Sequence, residues 1–437
     1  MSNKYEEAIK VEYISSACII TSTPDVIILH DPWFTDGAFD GSWFTFPKIS
    51  NPIEILGDCD FIFISHIHSD HFDPEFLNSY FSIFGIKTIL IANFQNNYLA
   101  KSLQRLGFKF EILSNIFHIG NTSISIYPFI TKTQSILDID SFIILDFNDG
   151  KKNHRVINLN DCNFSLPNKN IPILVEKKVD ILLVGYLDAS SYPQCYFDKN
   201  DKFLIQEKLK RINDYLLNFK NIVNLVNPVY CIPFAGEYIL GGKLSELNYF
   251  RAIPDALDAK NFIQNGIVLE SGGYITTNYL IYSERTKHFT ILDYEKRIME
   301  IKKIKMPYEN FIKKTNLENI PFEKFLKLAA QNLIKRSEID FDYYYEFIAE
   351  DIKFIFNINK EKLYINNING IKPSTQITLS KVLLFGLLIG RFNWNNMLVG
   401  SHLKIRRNPN YVKLKEVSPY TNDINRKISD SLNFFTL

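Results

Sequence analysis

The chain has 437 residues, 46% of them hydrophobic, and sets 49 Lys and Arg against 48 Asp and Glu. Such a length leaves room for two or three domains at roughly 150 residues each, and the apolar content excludes a chain without a packed core. The balance of charge excludes a broad basic surface, so neither nucleic acid nor an anionic membrane is expected as a partner.

Cysteine usage narrows the class further. Cys18, Cys59, Cys162, Cys195 and Cys231 are scattered and include no Cys-x-x-Cys pair. That argues against a disulfide framework and against a thiolate zinc site. The opening residues, Met-Ser-Asn-Lys-Tyr-Glu-Glu, lack the apolar core of a signal peptide. The longest apolar stretch, Val382–Ile389, is too short to span a bilayer. A cytoplasmic location is expected.

In chain order, apolar or β-branched runs at Val11–Ile14, Cys18–Thr21 and Val26–Leu29 read as strands, with Pro24-Asp25 turning between the last two. Asp60–Ser65 is an apolar run of strand length. Asp73 then suits a helix N-cap, with Pro74 at the first helical position. A strand at Thr88–Ala92, a helix to about Leu106 stopped by Gly107, and a strand near Phe108–Leu113 follow. Further strands are expected at Ser123–Tyr127, Ser141–Phe147, Val156–Leu159 and Ile181–Gly185. This interleaving predicts an α/β class with helices covering the sheets. From Lys302 onward the reading is mostly helical, at Pro321–Ile334, Phe341–Phe356 and Thr378–Leu388, with Pro321 suited to a first helical position. Residues 1–301 are expected to form one domain, with a helical region, 302–437, packed on it.

Three of the eight histidines fall in one run, Ser65-His66-Ile67-His68-Ser69-Asp70-His71. It follows the expected strand directly, and a strand end can hold several side chains toward one point. Imidazole and carboxylate together suit zinc, iron or manganese. Four ligands so close in sequence cannot all reach one ion with good geometry. Division between two ions, His66 with His68 and Asp70 with His71, is the easier arrangement. Such a pair can clamp an in-line attack by hydroxide.

This His-x-His-x-Asp-His run after an apolar strand resembles the signature of the metallo-β-lactamase superfamily. A closer resemblance is to the metallo-β-lactamase-like portion of the CMP-N-acetylneuraminate hydroxylases. Four stretches carry it: Asp31-Pro32-Trp33-Phe34 with Ala38-Phe39 and Gly41-Ser42-Trp43; Ile64 to His71; Asn158-Leu159-Asn160-Asp161-Cys162; and Val229 to Gly236. A fainter echo continues at Trp394, Gly400, Arg406, Arg407, Pro409 and Tyr411. The resemblance implies an αββα sandwich of two mixed sheets flanked by helices. It also implies that Asp161 bridges the metals, and that Asp31 stands behind the ligands as an orienting carboxylate. A turn or helix-capping role for Asp31 is an equal alternative.

The sequence departs from that pattern in two ways. The family's further ligand histidine is missing from Thr131–Asp140, where Asp138 or Asp140 is the available substitute. His118, just before a strand, is read as structural or exposed, and His154, in a Lys-Lys-Asn-His turn, as solvated. A late histidine is missing too, and Glu237 is the candidate to face the site, against a plain exposed-turn reading. Secondly, the hydroxylases' Rieske cluster needs Cys-x-His and Cys-x-x-His pairs, and this sequence has neither.

Trp33 and Trp43, in a glycine-containing loop, are candidates for a substrate wall, with a packed cover as the alternative. Arg406, in the cluster Lys404, Arg406, Arg407, is a candidate phosphate contact. No Gly-x-Ser-x-Gly elbow is present. The expected activity is metal-dependent hydrolysis of a sugar-, nucleotide- or lactone-type small molecule. It would use one or two divalent ions, zinc or iron, and a hydroxide generated on them, with Asp70 as ligand or water-orienting group. The alternatives are an iron oxygenase of a sugar or nucleotide sugar, served by a separate electron donor, and a non-catalytic binding protein with a degenerate site.

Overall fold

The computed structural model of the chain describes residues 8–130, 139–162, 170–311, 317–337, 339, 341–358, 374–408 and 427–437. Two sheets dominate its first three hundred residues. One has eight strands in the order Ile281–Glu284, Leu269–Thr276, Lys10–Ser15, Cys18–Ser22, Ile27–His30, Phe61–Phe63, Thr88–Ala92 and Phe110–Leu113. Its neighbours are antiparallel as far as Ile27–His30 and parallel beyond. The second has six strands, Tyr230–Phe234, Ile181–Gly185, Asn153–Asn158, Ser141–Asn148, Thr122–Pro128 and Phe117–Ile119. The first three of these are parallel and the rest antiparallel.

Alternation along the strands separates the faces. Val11, Ile28, Phe63 and Leu90 of the first sheet pack against Ile124, Ile143, Leu145 and Leu183 of the second. On the far side of the first sheet, Ile20, Leu29, Ile62 and Ile89 receive Leu77 and Tyr80 of helix Pro74–Phe84 and Leu103 of helix Tyr98–Leu106. On the far side of the second, Ile144, Ile157 and Leu182 lie under Leu216, Phe219 and Val223 of helix Lys202–Val226. The layers run helix, sheet, sheet, helix, which is the αββα sandwich expected. The helix boundaries read from sequence hold: the Asp73 side chain accepts from Phe76 N–H at 3.0 Å with Pro74 next to it, and Gly107 closes its helix at φ 75°.

The C-terminal part is less helical than expected, with a four-stranded sheet among its described residues. Helices occur at Phe322–Arg336, Lys381–Leu388 and Trp394–Val399, with Pro321 at the N-cap rather than the first helical position. Phe341–Phe356, expected as helix, is instead the hairpin Tyr344–Ala349 and Ile352–Asn357. Strands Ser374–Thr378 and Lys404–Asn408 complete a four-stranded sheet with it. The reason lies in the period. Tyr343, Tyr345, Phe347 and Ala349 alternate and are fully buried, a period of two that a helix cannot bury on one face. The cluster they form extends through Trp33, Phe39, Trp43, Tyr238 and Leu240 of the sandwich. Contact there is close: at Gly41, whose φ is +95°, a Cβ would lie 2.6 Å from Pro307 Cδ. Among the described residues no helix is long and apolar enough to cross a membrane.

Candidate metal centre

Four segments end on one rim of the sandwich. Asp31 follows strand Ile27–His30, the histidine run follows Phe61–Phe63, Asp161 follows Asn153–Asn158, and Asp140 precedes Ser141–Asn148. Parallel pairing sets His30 beside Phe63, and antiparallel pairing sets Ile143 beside Asn158, so these ends converge. Across the gap between sheets, Ser141 Oγ donates to the Ser65 carbonyl at 2.5 Å, and Asn160 Nδ2 donates to Asp31 Oδ2. Asp31 and Asn160 both turn through left-handed backbone, at φ 39° and 51°. Asp and Asn enter that region more readily than other residues with a Cβ.

Ligand atoms meet at the centre of this rim. One atom each from His66, His71 and Asp161 lie mutually within 4.8 Å. Asp161 Oδ2 is 3.4 Å from His71 Nε2 and 3.9 Å from His66 Nε2. Asp70 Oδ2 is 3.5 Å from His71 Nε2, and His68 Nδ1 is 2.9 Å from His66 Nε2. Two ligands on one ion of zinc type lie about 3.0–3.5 Å apart, and these spacings, from 2.9 to 3.9 Å, bracket that range. Asp140 Oδ1 lies 3.9 Å from His66 Nε2. It occupies the side where a further histidine was missing. Asp138 lies outside the described residues.

The nitrogens facing away from this centre are also held. His66 Nδ1 meets Ser65 Oγ at 2.9 Å, and Ser65 Oγ donates to Asp31 Oδ1 at 3.1 Å. His71 Nδ1 lies 3.4 Å from Asp31 Oδ2. Asp31 thus contacts both the His71 ring and Ser65. Burial pushes the Asp31 carboxyl up, against the opposing pull of His71 and Ser65. Burial also drives His66 well below, and His68 below, the usual imidazole range. His71 goes the other way: burial opposes its charge, but Asp161, Asp70 and Asp31 outweigh it and hold the ring well above that range. For Asp161 burial is in turn outweighed by His71, which keeps its carboxyl low. The field that favours a cation on His71 equally favours a metal cation among these groups.

One observation tests whether a metal fits. Asp70 Oδ1 is buried without a hydrogen-bond partner. A buried carboxylate oxygen left unpaired is costly, and an ion is the partner it lacks. The donor set of imidazoles and carboxylates suits zinc or iron.

The weaker sequence candidates lie elsewhere. Trp33 and Trp43 are buried, with Trp33 Nε1 donating to the Thr35 carbonyl at 2.8 Å and Trp43 stacked on Tyr238 at 3.3 Å. They form the packed cover, because two indoles in an apolar cluster bury more surface than they would as a wall. Arg406 is exposed and pairs with Asp198. His118 is exposed, whereas His154 is fully buried on a strand and meets Asp149 Oδ2 at 3.1 Å, contrary to the solvated turn expected.

Glu237 neither faces the centre nor solvent. Its side chain, 11% exposed, pairs with Arg285 Nη2 at 2.8 Å. Burial pushes Glu237 up to about 8, against the pull of Arg285 and with a further push from Asp255. The folded chain therefore holds a proton that the unfolded chain releases above its ordinary 4.5, and stability declines as pH rises from about 4.5 to about 8. Glu237→Gln is expected to flatten that decline by several degrees of Tm. A variant that keeps the full slope in melting curves taken across this pH range would contradict the assignment.

Sequence reasoning passed over Ser65, Asn160 and Asn395, the last with its side-chain amide 2.9 Å from His68 Nε2. Asn160 lay inside a quoted motif, and Asn395 beside Trp394 of the fainter echo, but nothing in the sequence tied either to the histidines. A small pocket of about 10 Å³, lined in part by Ile67, Phe94, Tyr98, Leu99 and Ile139, lies beside Ser65.

No family model matches the chain. Over 235 residues it is 26% identical to a putative Rieske 2Fe-2S iron-sulfur protein of Mycolicibacterium smegmatis, covering 51% of this chain and 42% of that one. Over 251 residues it is 26% identical to the inactive cytidine monophosphate-N-acetylneuraminic acid hydroxylase of Homo sapiens, covering 53% of this chain and 45% of the relative. The chain thus spans less than half the length of these curated relatives. Among solved structures, CmlA, a diiron β-hydroxylase from Streptomyces venezuelae, aligns with 62% of this chain and 54% of its own at 17% identity and a TM-score of 0.41.

Proposed function

We propose that this chain, built on the metallo-β-lactamase fold, is a metal-dependent hydrolase of a small sugar-, nucleotide- or lactone-type substrate. The convergence of His66, His71 and Asp161 on one point, with Asp70 Oδ1 buried and unpartnered beside them, carries the reading. His66 Nε2, His68 Nδ1 and Asp140 would hold one ion, Asp70 and His71 a second, and Asp161 would be shared. When bound, such ions supply a Lewis acid and hydroxide at neutral pH. The chain's own groups do the rest. Asp31 and Ser65 would fix the rings of His66 and His71, and Asp70 would serve as a ligand or orient the attacking water. Residues 302–437 act as a cover on the 1–301 domain. A cytoplasmic location accords with five unpaired, buried cysteines.

A second reading, an iron oxygenase of a sugar or nucleotide sugar, has its own support. The chain's sequence relatives include hydroxylases of that substrate class, and Asp140 in place of a histidine enriches the site in carboxylate, which iron accepts as readily as zinc. Without Rieske ligands in this chain, its electrons would come from a separate donor. Metal analysis of protein purified without added metal or chelator separates the two. Zinc at about one or two per chain, lost in His68→Ala, with turnover in phosphoester or lactone screens, is the expected result. Iron with substrate-dependent oxygen consumption would overturn hydrolysis in favour of the oxygenase. A protein that takes up no metal even on reconstitution would sink both and leave a binding protein.

A further inference from the structure

Each imidazole of the centre has a polar group behind it, and the three are not equivalent. His66 and His71 turn Nε2 inward and Nδ1 outward, onto Ser65 Oγ at 2.9 Å and Asp31 Oδ2 at 3.4 Å. Those outer partners keep the proton on Nδ1 and leave the Nε2 lone pair for an ion. His68 is reversed: its Nδ1 lies 2.9 Å from His66 Nε2, and its Nε2 points away from the sandwich. For Nδ1 to be a ligand, Nε2 must carry the proton and needs an acceptor. The group at that position is the side-chain amide of Asn395, 2.9 Å away and 327 residues further along the chain.

We propose that Asn395 is the positioning residue that fixes the His68 tautomer, making helix Trp394–Val399 part of the metal centre. This rests on the metal reading above. Nδ2 is the amide end that faces His68 here. A half-turn of the amide, which preserves its shape, presents Oδ1 as the acceptor. The helix is held in place for the task. Asn393 caps it, accepting from Asn395 N–H at 2.8 Å. Asn396 Nδ2 donates to Asp40 Oδ2 at 3.1 Å, and His402 Nε2 meets the Phe39 carbonyl at 2.8 Å. The Phe39 ring lies 5.6 Å from that of His68, so the imidazole is fixed between an aromatic face and an amide.

The test is titration of the metal-free chain with Co²⁺, followed by its visible ligand-field bands, in wild type, Asn395→Leu and Asn395→Asp. Leucine keeps the shape and removes the acceptor; aspartate keeps an acceptor only. In the leucine variant the equivalent held by His66 and His68 is expected to bind roughly 10–100-fold more weakly and its bands to fade. The aspartate variant is expected to stay within a few-fold of wild type. Wild-type binding in the leucine variant, or equal weakening in both variants, would overturn the role of Asn395 while leaving the metal centre standing. A wild-type chain that binds no Co²⁺ would overturn the metal reading and this inference together.

Discussion

Asp161→Ala is expected to leave the purified protein with essentially no metal and to lower metal affinity by more than about 100-fold, beyond the loss typical of outer partners. The reason is geometric. Asp161 Oδ2 is the oxygen that approaches both His71 Nε2, at 3.4 Å, and His66 Nε2, at 3.9 Å. Those two rings are the separate anchors of the two-ion arrangement, and their centroids are only 4.1 Å apart. Without the carboxylate, two cations at that spacing would repel with no shared anion between them. Removing it also leaves His71 dependent on Asp70 and Asp31 for its negative surroundings. Metal analysis by mass spectrometry on the variant, purified beside wild type, decides the point. Retention of the wild-type stoichiometry would remove Asp161 from the centre.

The second large effect is on stability and lies away from the metal. Arg285→Met is expected to cost about 3–5 kcal/mol, because it strands the nearly buried carboxylate of Asp255. Arg285 Nη2 donates to Glu237 Oε1 at 2.8 Å and to Asp255 Oδ1 at 2.8 Å, and Nη1 donates to Asp255 Oδ2 at 3.1 Å. Its guanidinium also sits 4.4 Å over the ring of Phe289. The three partners come from different places: Arg285 follows the edge strand of the first sheet, Glu237 follows the edge strand of the second, and Asp255 caps helix Ala256–Asn261. The cluster therefore clasps the two sheets at one edge. Urea denaturation reads the loss directly, and a change below about 1 kcal/mol would place the Arg285 pairs among weak, solvent-screened ones. Because Glu237 holds a proton up to about pH 8, the penalty in Arg285→Met is expected to fall chiefly on Asp255.

Much of the sandwich was legible before any coordinates. Period-two runs and the punctuation at Asp73-Pro74 and Gly107 are local signals, set by backbone sterics and capping, and they survive in the fold. The hairpin at Tyr344–Asn357 was misread because dense aromatics raise the apolar content at every spacing, and only burial against Trp394 and Phe435 shows which alternate set faces inward. The four candidate ligands in the histidine run were equally legible, since their proximity in sequence guarantees proximity in space.

What the sequence determined by itself was therefore what depends on near neighbours: strand and helix limits, the α/β class, and a histidine-carboxylate run at the end of a strand; the αββα order came from the family resemblance. Tertiary structure alone decided the rest. It brought Asp140 within 3.9 Å of His66, turned Glu237 into the partner of Arg285, packed the two tryptophans as a cover, and set Asn395 behind His68. Each of those outcomes depends on where a side chain is aimed by elements far away in the chain. Residue identity and local spacing carry no record of that direction, because it is set by how the layers pack.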